Sequence, residues 1–263
     1  MSLIFAAITP HPPILIPAIG KDNIKQIDKT KLAMEKLEEE LYSAKPDIIM
    51  IISPHGEMSA DSFTVNLSDS YEVNFESFGD FTTKLKLKGE TVLMTMGKEK
   101  IAAKSPLNII SESILDHGAG VPLFYLMRHL PQVPIIPLSF SMLDNQAHVE
   151  FGKSLKELIL STDKRVAVIA SGDLSHCLTK NAPVPYNPAG KDFDQTLIEL
   201  VKKCDTQGIT NLDRKLVNDA AECGLRSILI LSGILSDMKC QPEVLSYEGP
   251  FGVGYLVVEI KLD

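Results

Sequence analysis

Three short and uninterrupted apolar runs constrain the fold of this chain more than any other feature of its sequence. They cover Leu3–Ile8, Ile48–Ile52 and Val166–Ala170. Runs of this length without polar alternation are typical of strands that are buried on both faces. Between the first two runs, residues 23–43 carry apolar side chains at helical spacing. A strand, a helix and a second strand in succession form a βαβ unit, which predicts parallel pairing.

The rest of the chain continues the alternation of helices and strands. We predict further strands within residues 62–88, over 133–140 and over the C-terminal "GVGYLVVEIKLD", and helices over 90–104, 147–160, 192–203 and 218–232. Pro134 and Pro137 favour an irregular or edge position for the strand over 133–140. No repeat or linker interrupts the pattern. We therefore expect one α/β domain over residues 1–263, with a central mixed, largely parallel sheet flanked by helices.

Composition and charge exclude several classes of partner. The chain is 44% hydrophobic and 23% charged, which is typical of a globular protein, and its formal net charge is −8. It has no long cluster of Lys or Arg, so we expect neither a nucleic acid nor a membrane as partner. The apolar runs are too short to span a bilayer. The four cysteines form no Cys-x-x-Cys pair, so we expect no disulfide framework or structural zinc, and a cytoplasmic location.

Three of the six histidines follow the three apolar runs. His11 follows the first, His55 the second and His176 the third. Ligands of parallel α/β sheets bind at the carboxyl ends of the strands, so these imidazoles should meet at one edge. A proline precedes both His11 and His55 and stiffens the backbone there, and ordering a stiff ligand loop around a metal ion costs little entropy. The pattern predicts a shared site that binds a metal ion.

A metal site of this kind needs a further anionic ligand. Two imidazoles and one carboxylate form an arrangement that leaves open positions on iron for substrate and dioxygen. The acidic candidates lie near glycines and are Glu57, Asp173, Glu222 and Glu248. Their spacing in the sequence does not choose among them.

Six segments of the chain together resemble the class III extradiol ring-cleavage dioxygenases, in the B-type family of their catalytic subunits. They are "TPHPPILIP", "ISPHGE", "DHGAGVPLFYL", "SGDLSH", "AAECGLRSILIL" and "SYEGPFGVGYLV". The resemblance implies a non-haem Fe(II) enzyme, an oxidoreductase that opens an aromatic diol of the catechol type with O2. It implies His11, His55 and Glu222 as metal ligands, because the family's carboxylate ligand starts a late helix.

The same resemblance implies roles for the remaining residues of the site. His176 matches the acid–base histidine of the family, and His117 matches a further histidine of the pocket. We expect Asp173, Glu248 and Cys223 to support the site or to face the substrate. The resemblance also implies assembly as a homo-oligomer or with a partner subunit. His129 and His148 match no motif, and we expect them to lie on the surface or to pack between helices.

One alternative within the same scaffold stays open. In related Memo-like proteins a cysteine occupies the third ligand position, and here Cys223 directly follows Glu222. Neighbouring residues of a helix point about 100° apart, so one ion is not expected to take both. A thiolate would suit softer metals than a carboxylate does, and Zn(II) or Mn(II) are alternatives to Fe(II). The alternative function is a Memo-like metal-binding protein, or a metal-dependent enzyme without ring-cleavage activity.

Overall fold

A computed structural model describes residues 2–262 and contains eleven strands and nine α-helices in that range. The strands are β1 (Leu3–Thr9), β2 (Ile48–Ser53), β3 (Phe63–Asn66), β4 (Ser70–Phe75), β5 (Asp80–Lys88), β6 (Leu107–Ile110), β7 (Ile114–Leu115), β8 (Ile135–Ser139), β9 (Val166–Ser171), β10 (Cys240–Glu248) and β11 (Tyr255–Leu262). The helices are α1 (Pro17–Gly20), α2 (Asp28–Ala44), α3 (Val92–Ala102), α4 (His117–Leu126), α5 (Asn145–Leu160), α6 (Ala189–Lys202), α7 (Thr206–Thr210), α8 (Arg214–Ala220) and α9 (Leu225–Ile234).

Eight strands form the central sheet, in the order β10-β11-β1-β9-β2-β8-β3-β6. The pairs β1–β9, β9–β2, β2–β8 and β3–β6 are parallel, and the remaining pairs are antiparallel. The fold is therefore α/β with a mixed, largely parallel sheet, which confirms the predicted class. The strands that precede His11, His176 and His55 are direct parallel neighbours, so their carboxyl ends lie side by side. A separate sheet, β5-β4-β7, lies outside the central one.

Helices cover both faces of the central sheet, which explains the uninterrupted apolar runs. Alternate residues of one strand enter different cores, as Ile48, Met50 and Ile52 join one hydrophobic cluster while Ile49 and Ile51 join the other. The first cluster includes apolar residues of α5, α6 and α9, and the second includes those of α2 and α4. Every position of β2 is buried as a result. Both faces of such a strand are buried, so the strand shows no alternation of apolar and polar side chains.

Of the two alternatives predicted for the strand over 133–140, irregular or edge, the edge position is wrong. β8 lies between β2 and β3, and all of its residues are buried. It pairs with β2 along its whole length, but β3 pairs only with Leu138 and Ser139. Pro137 therefore has no partner residue on β3. A partner there would need a backbone N–H to bond with, which proline lacks.

The single helix predicted over 218–232 is in fact two helices with a break between them. α8 ends at Ala220, and Ala221 adopts a left-handed conformation with φ of 52°. The chain resumes a helical path only at Leu225. The break contains both Glu222 and Cys223, so the local conformation of these two residues is not that of a continuous helix.

Cys204 and Cys240 are joined by a disulfide between the end of α6 and the start of β10. The sequence did not predict it, because a bridge between cysteines 36 residues apart leaves no local spacing pattern. Among the described residues, no helix combines the length and the apolar character needed to cross a bilayer. The location in the cytoplasm stays a prediction.

Candidate metal centre

His11 lies in the turn that follows β1 and is anchored by two contacts. Its backbone N–H donates to Asp173 Oδ1 at 2.9 Å, and its Nδ1 lies 3.0 Å from Ser171 Oγ. Only 2% of the residue is exposed. Asp173 and Ser171 both follow or end β9, the direct neighbour of β1. The imidazole is therefore held by the adjacent strand of the sheet.

The hydrogen bonds around Ser171 define the tautomer of His11. The Ser171 hydroxyl donates its only proton to the carbonyl oxygen of Gly118, at 2.5 Å. It can then only accept from His11, so Nδ1 of the neutral imidazole carries the proton. Nε2 keeps its lone pair and is free to bind a cation. Burial, and after it the charges of His55, His117 and His176, lower the pKa of His11 well below the usual range.

His55 lies at the exposed side of the site, after β2. Its Nε2 atom is 3.1 Å from Nε2 of His11. Its backbone N–H donates to Ser53 Oγ, and the Ser53 hydroxyl donates to Asp116 Oδ1. Asp116 in turn caps α4 by accepting from the backbone N–H of Ala119. The start of α4 and the turn after β2 are thus connected by one short network.

His117 is the first residue of α4 and completes a group of three close imidazoles. Its ring stacks on that of His55 with the centroids 4.3 Å apart, and lies 5.5 Å from that of His11. The ring of Phe78, in the turn between β4 and β5, lies 5.0 Å from it. Burial, together with the neighbouring His55, lowers the pKa of His117 to about 4. His117 is therefore a neutral imidazole at pH 7.

His176 lies in the loop after β9, and its backbone N–H donates to the carbonyl of Ala220 at the end of α8. Its Nδ1 atom is buried and has no hydrogen-bond partner among residues 2–262. Burial is the largest cause that lowers its pKa from the usual value. A neutral imidazole with an unpartnered nitrogen can accept a proton from a bound molecule. His11 and His55 meet at one sheet edge, as expected, and the charge of His176 is the smallest of the causes that lower the pKa of His11.

Cys223 is the third member of the donor group in the described part of the chain. His11 Nε2, His55 Nε2 and Cys223 Sγ all lie within 4.8 Å of one another, and Sγ is 3.7 Å from His11 Nε2. The backbone N–H and the thiol of Cys223 both contact the carbonyl oxygen of Asp173. Asp173 therefore positions two of the three donors, one with its side chain and one with its backbone. Burial raises the pKa of the Cys223 thiol well above its usual value, a trend that a bound cation would oppose.

Glu222 is not brought into the donor group. Its Oε2 accepts from the backbone N–H of Leu225 at 2.6 Å, so the carboxylate caps the first turn of α9. Burial raises its pKa to about 7. The expectation that Glu222 supplies the third ligand thus differs from the arrangement observed, because the break before α9 directs Cys223 to the histidines. The ligand assignment itself stays a prediction.

The other acidic candidates have separate positions. Glu248 Oε1 accepts from the backbone N–H and the hydroxyl of Thr30, in the first turn of α2, and so contributes to the fold. Glu57 is exposed after His55. Asp173 is buried beside the group, with Oδ2 4.0 Å from His11 Nε2, and burial raises its pKa to about 7. Of these carboxylates, Asp173 is the one next to the donors.

Two histidines lie outside the centre, as expected. His129 is exposed and its Nδ1 is 2.9 Å from Glu38 Oε1. His148 is buried in α5, with both ring nitrogens near backbone carbonyls. Sequence reasoning missed Ser53, Ser171 and Asp116. The aspartate before the helical "HGAGVPLFYL" is a helix-capping signal, whereas the serines carry no local signal.

The donor set fits a single metal ion. Bonds of roughly 2.0–2.3 Å from one ion to nitrogen and sulfur ligands place neighbouring donor atoms about 3–4 Å apart. The separations of 3.1 Å and 3.7 Å agree with that requirement. Two imidazoles and one thiolate suit iron, zinc or copper better than magnesium or manganese. The exposed position of His55 leaves access from solvent.

Comparisons with known proteins agree with the resemblance in the sequence. The chain is 32% identical to protein CA_C1420 of Clostridium acetobutylicum, in an alignment of 275 positions that covers 99% of this chain and 58% of that protein. It thus spans little more than half the length of that relative. It is 23% identical to the 2-aminophenol 1,6-dioxygenase alpha subunit of a Pseudomonas species, over 100% of both chains. Archaeal proteins of the MEMO1 family are also similar.

A solved structure and a family model complete the comparison. The crystal structure of the uncharacterised protein JW3007 from Escherichia coli K12 has the same fold, with a TM-score of 0.68 and 16% identity over 97% of this chain and 99% of that one. The family model described as the catalytic LigB subunit of aromatic ring-opening dioxygenase matches residues 5–258. The chain therefore belongs to this LigB family.

Proposed function

We propose that this chain binds one transition-metal ion through His11 Nε2, His55 Nε2 and Cys223 Sγ, and opens aromatic diols with O2. The observation that carries the proposal is the convergence of three donor atoms within 4.8 Å beside the imidazole of His117. Membership of the LigB family and the similarity to a 2-aminophenol dioxygenase subunit support the reaction class. We infer Fe(II) as the metal, with Zn(II) as the alternative that the thiol allows.

The histidines that do not bind the metal would handle protons. A bound Fe(II) ion would supply the chemistry by which an aromatic diol reacts with O2. His176 is neutral at pH 7 and would take a proton from a substrate hydroxyl with its imidazole, then return it to the product. His117, also neutral, would donate one hydrogen bond to the substrate. Phe78 would cover one side of the pocket.

A second candidate function rests on the identity of the third donor. A cysteine in the donor group is the feature that distinguishes the Memo-like alternative from dioxygenases with a carboxylate ligand. Cys223, and not Glu222, lies next to the histidines here. In this second proposal the chain binds a metal on the same three donors but does not cleave aromatic rings. The relative from Pseudomonas is named as an alpha subunit, which indicates that it assembles with a partner chain. Such an assembly of the present chain is compatible with either proposal.

One experiment separates these proposals. The protein is purified without oxygen, its metal content is measured, and Fe(II) is restored before catechol and 2-aminophenol are added. Oxygen uptake with formation of a yellow ring-opened product supports the dioxygenase proposal. Iron-loaded protein that consumes no oxygen with a broad panel of diols and aminophenols contradicts it and supports the second candidate.

A matched pair of variants tests the donor assignment. Cys223→Ala should lower the affinity for Fe(II) or Zn(II) by more than about 100-fold, since even the loss of a group that only supports a ligand costs about 10–100-fold. Glu222→Gln keeps an oxygen that can accept from Leu225 and should leave the affinity near that of the wild type. Competition with a chelator measures both values. Loss of affinity in Glu222→Gln alone would restore Glu222 as the third ligand.

A further inference from the structure

A second cavity, of about 620 Å³, opens at the same edge of the sheet but apart from the histidines. Its walls are the segment that leads into α5, the end of α7, one face of α8 and the first turn of α9. None of His11, His55, His117 and His176 lines it. α8 separates the two regions, because its last residue, Ala220, contacts the His176 loop while Arg214 and Asn218 face the cavity.

The charge of this cavity is opposite to that of the whole chain. The protein has a formal net charge of −8 and four arginines, and two of these, Arg214 and Arg226, line the cavity. The acidic residue of the lining, Asp144, is engaged in capping α5 through the backbone N–H of Ala147. An anionic group entering the cavity would meet two cationic side chains and one acidic side chain, and Arg226 also interacts electrostatically with Glu222.

Arg226 is held in place without satisfying its own hydrogen-bonding capacity. Its guanidinium carbon lies 5.5 Å from the centroid of the buried Phe140 ring, within the range of a cation–π contact that orients the group. Its Nε atom is buried and has no hydrogen-bond partner among residues 2–262. This unpaired buried N–H carries a free-energy cost, so the guanidinium is not fully satisfied by the protein itself. The two terminal guanidinium nitrogens can donate in parallel to the two oxygens of a carboxylate.

The remaining walls indicate what the anion is attached to. Met142, Leu143 and Val217 give the cavity an apolar side. Asn145 Nδ2 donates to the carbonyl of Thr210, which connects α5 with α7 and keeps the walls together. We propose that this cavity binds a small organic acid, with its carboxylate on Arg226 and its apolar body against these side chains. The site is separate from the metal centre and does not depend on the proposed ring cleavage.

Benzoate is a suitable probe, and calorimetric titration at low salt measures its binding. We expect saturable binding to the wild type and a dissociation constant at least ~10-fold higher for Arg226→Gln, the loss that one charged hydrogen-bonding partner predicts. Arg226→Lys keeps the charge but loses the fork, so it should give an intermediate value. Arg128→Gln, an exposed arginine elsewhere, is the matched control and should bind like the wild type.

Two further measurements test where benzoate binds and whether the site prefers an organic acid. Because benzoate could also bind a metal ion, His11→Ala should bind it as the wild type does; loss of binding in that variant would place the acid at the metal centre and overturn the proposal. Inorganic phosphate should bind more weakly than benzoate, and tighter binding would overturn the assignment to an organic acid. Absence of saturable benzoate binding to the wild type, or binding by Arg226→Gln as tight as that of the wild type, would also overturn it.

Discussion

Ser171 decides which nitrogen of His11 is available to a metal. Its hydroxyl accepts from His11 Nδ1 and donates to the carbonyl of Gly118, so the hydrogen bonds run in one direction. The carbonyl can only accept, and this leaves one arrangement of the protons. A strand-terminal serine, with no chemistry of its own in the proposed reaction, thereby orients the imidazole.

Replacement of this serine tests that role. Ser171→Ala removes the acceptor for Nδ1–H and should lower the metal affinity by about 10-fold, as the loss of such supporting partners typically does. Chelator competition measures the change. Ser154→Ala removes a serine on α5 whose hydroxyl donates to the Glu150 carbonyl, away from the centre, and serves as the control. Equal affinities of wild type and Ser171→Ala would show that the tautomer does not depend on this contact.

The raised pKa of Asp194 predicts that the stability of the fold depends on pH. It accepts from the backbone N–H of Ser175 and from the Tyr247 hydroxyl, and burial raises its pKa from 3.8 to about 6. The folded state therefore holds this proton more tightly than the unfolded state. The resulting stabilisation is complete below pH 3.8 and is lost as the pH rises through about 6.

The variant Asp194→Asn does not titrate and isolates this contribution. Relative to it, the wild type should lose about 2.4 kcal/mol of unfolding free energy between pH 4 and pH 7.5, since each pKa unit of the shift contributes about 1.4 kcal/mol and part of the loss has occurred by pH 4. Urea unfolding at both pH values measures the difference. Parallel changes in the two proteins would mean that Asp194 titrates normally.

At the scale of elements, the break between α8 and α9 determines the composition of the donor group. Ala221 turns the chain into the left-handed region, and Gly224 lies against Gly172 at the end of β9. A Cβ atom on Gly172 would lie 2.1 Å from Gly224 Cα. The close approach of these two glycines brings the loop of Cys223 onto the loop that follows β9, where Asp173 binds it.

Gly172→Ala should therefore separate these two loops. Backbone atoms cannot move aside as a flexible side chain can, so we expect a loss of about 1–3 kcal/mol in unfolding free energy together with weaker metal binding. Gly79→Ala is a control, since its positive φ of 83° strains an alanine while a Cβ there meets no atom within 4 Å. It should cost stability without changing metal affinity. Unchanged metal binding in Gly172→Ala would contradict the role of the glycine contact.

At the scale of the whole molecule, the proposed metal joins segments that lie far apart in the chain. His11 and Cys223 are 212 residues apart and contact each other only in the folded state. An ion that binds the folded protein stabilises it by about 2.7 kcal/mol at a concentration of 100 times its dissociation constant. Metal binding and global stability are therefore coupled.

Thermal unfolding with and without Zn(II) tests this coupling. The melting temperature of the wild type should rise with metal concentration, because only the folded chain presents the three donors together. His11→Ala should retain a cooperative transition but show no such rise. An equal rise in both proteins would mean that the metal binds elsewhere.

The sequence alone determined the α/β class and the position of His11, His55 and His176 at the ends of three strands. Both conclusions follow from local patterns, since buried parallel strands need uninterrupted apolar runs and their carboxyl ends share one edge. The order of the strands in the sheet was harder to predict from the sequence. Pro134 and Pro137 indicated an irregular or edge position for β8, which in fact lies inside the sheet. Pro137 is tolerated there because β3 is short and pairs only with Leu138 and Ser139.

Only the tertiary structure shows which residue lies beside the histidines, and that Arg226 lines a separate cavity. Glu222 and Cys223 are adjacent, and both types of side chain can bind metals. The choice between them depends on a backbone turn at Ala221 and on a glycine contact across more than fifty residues of chain. Such contacts arise from the packing of distant segments, so no spacing within the sequence records them.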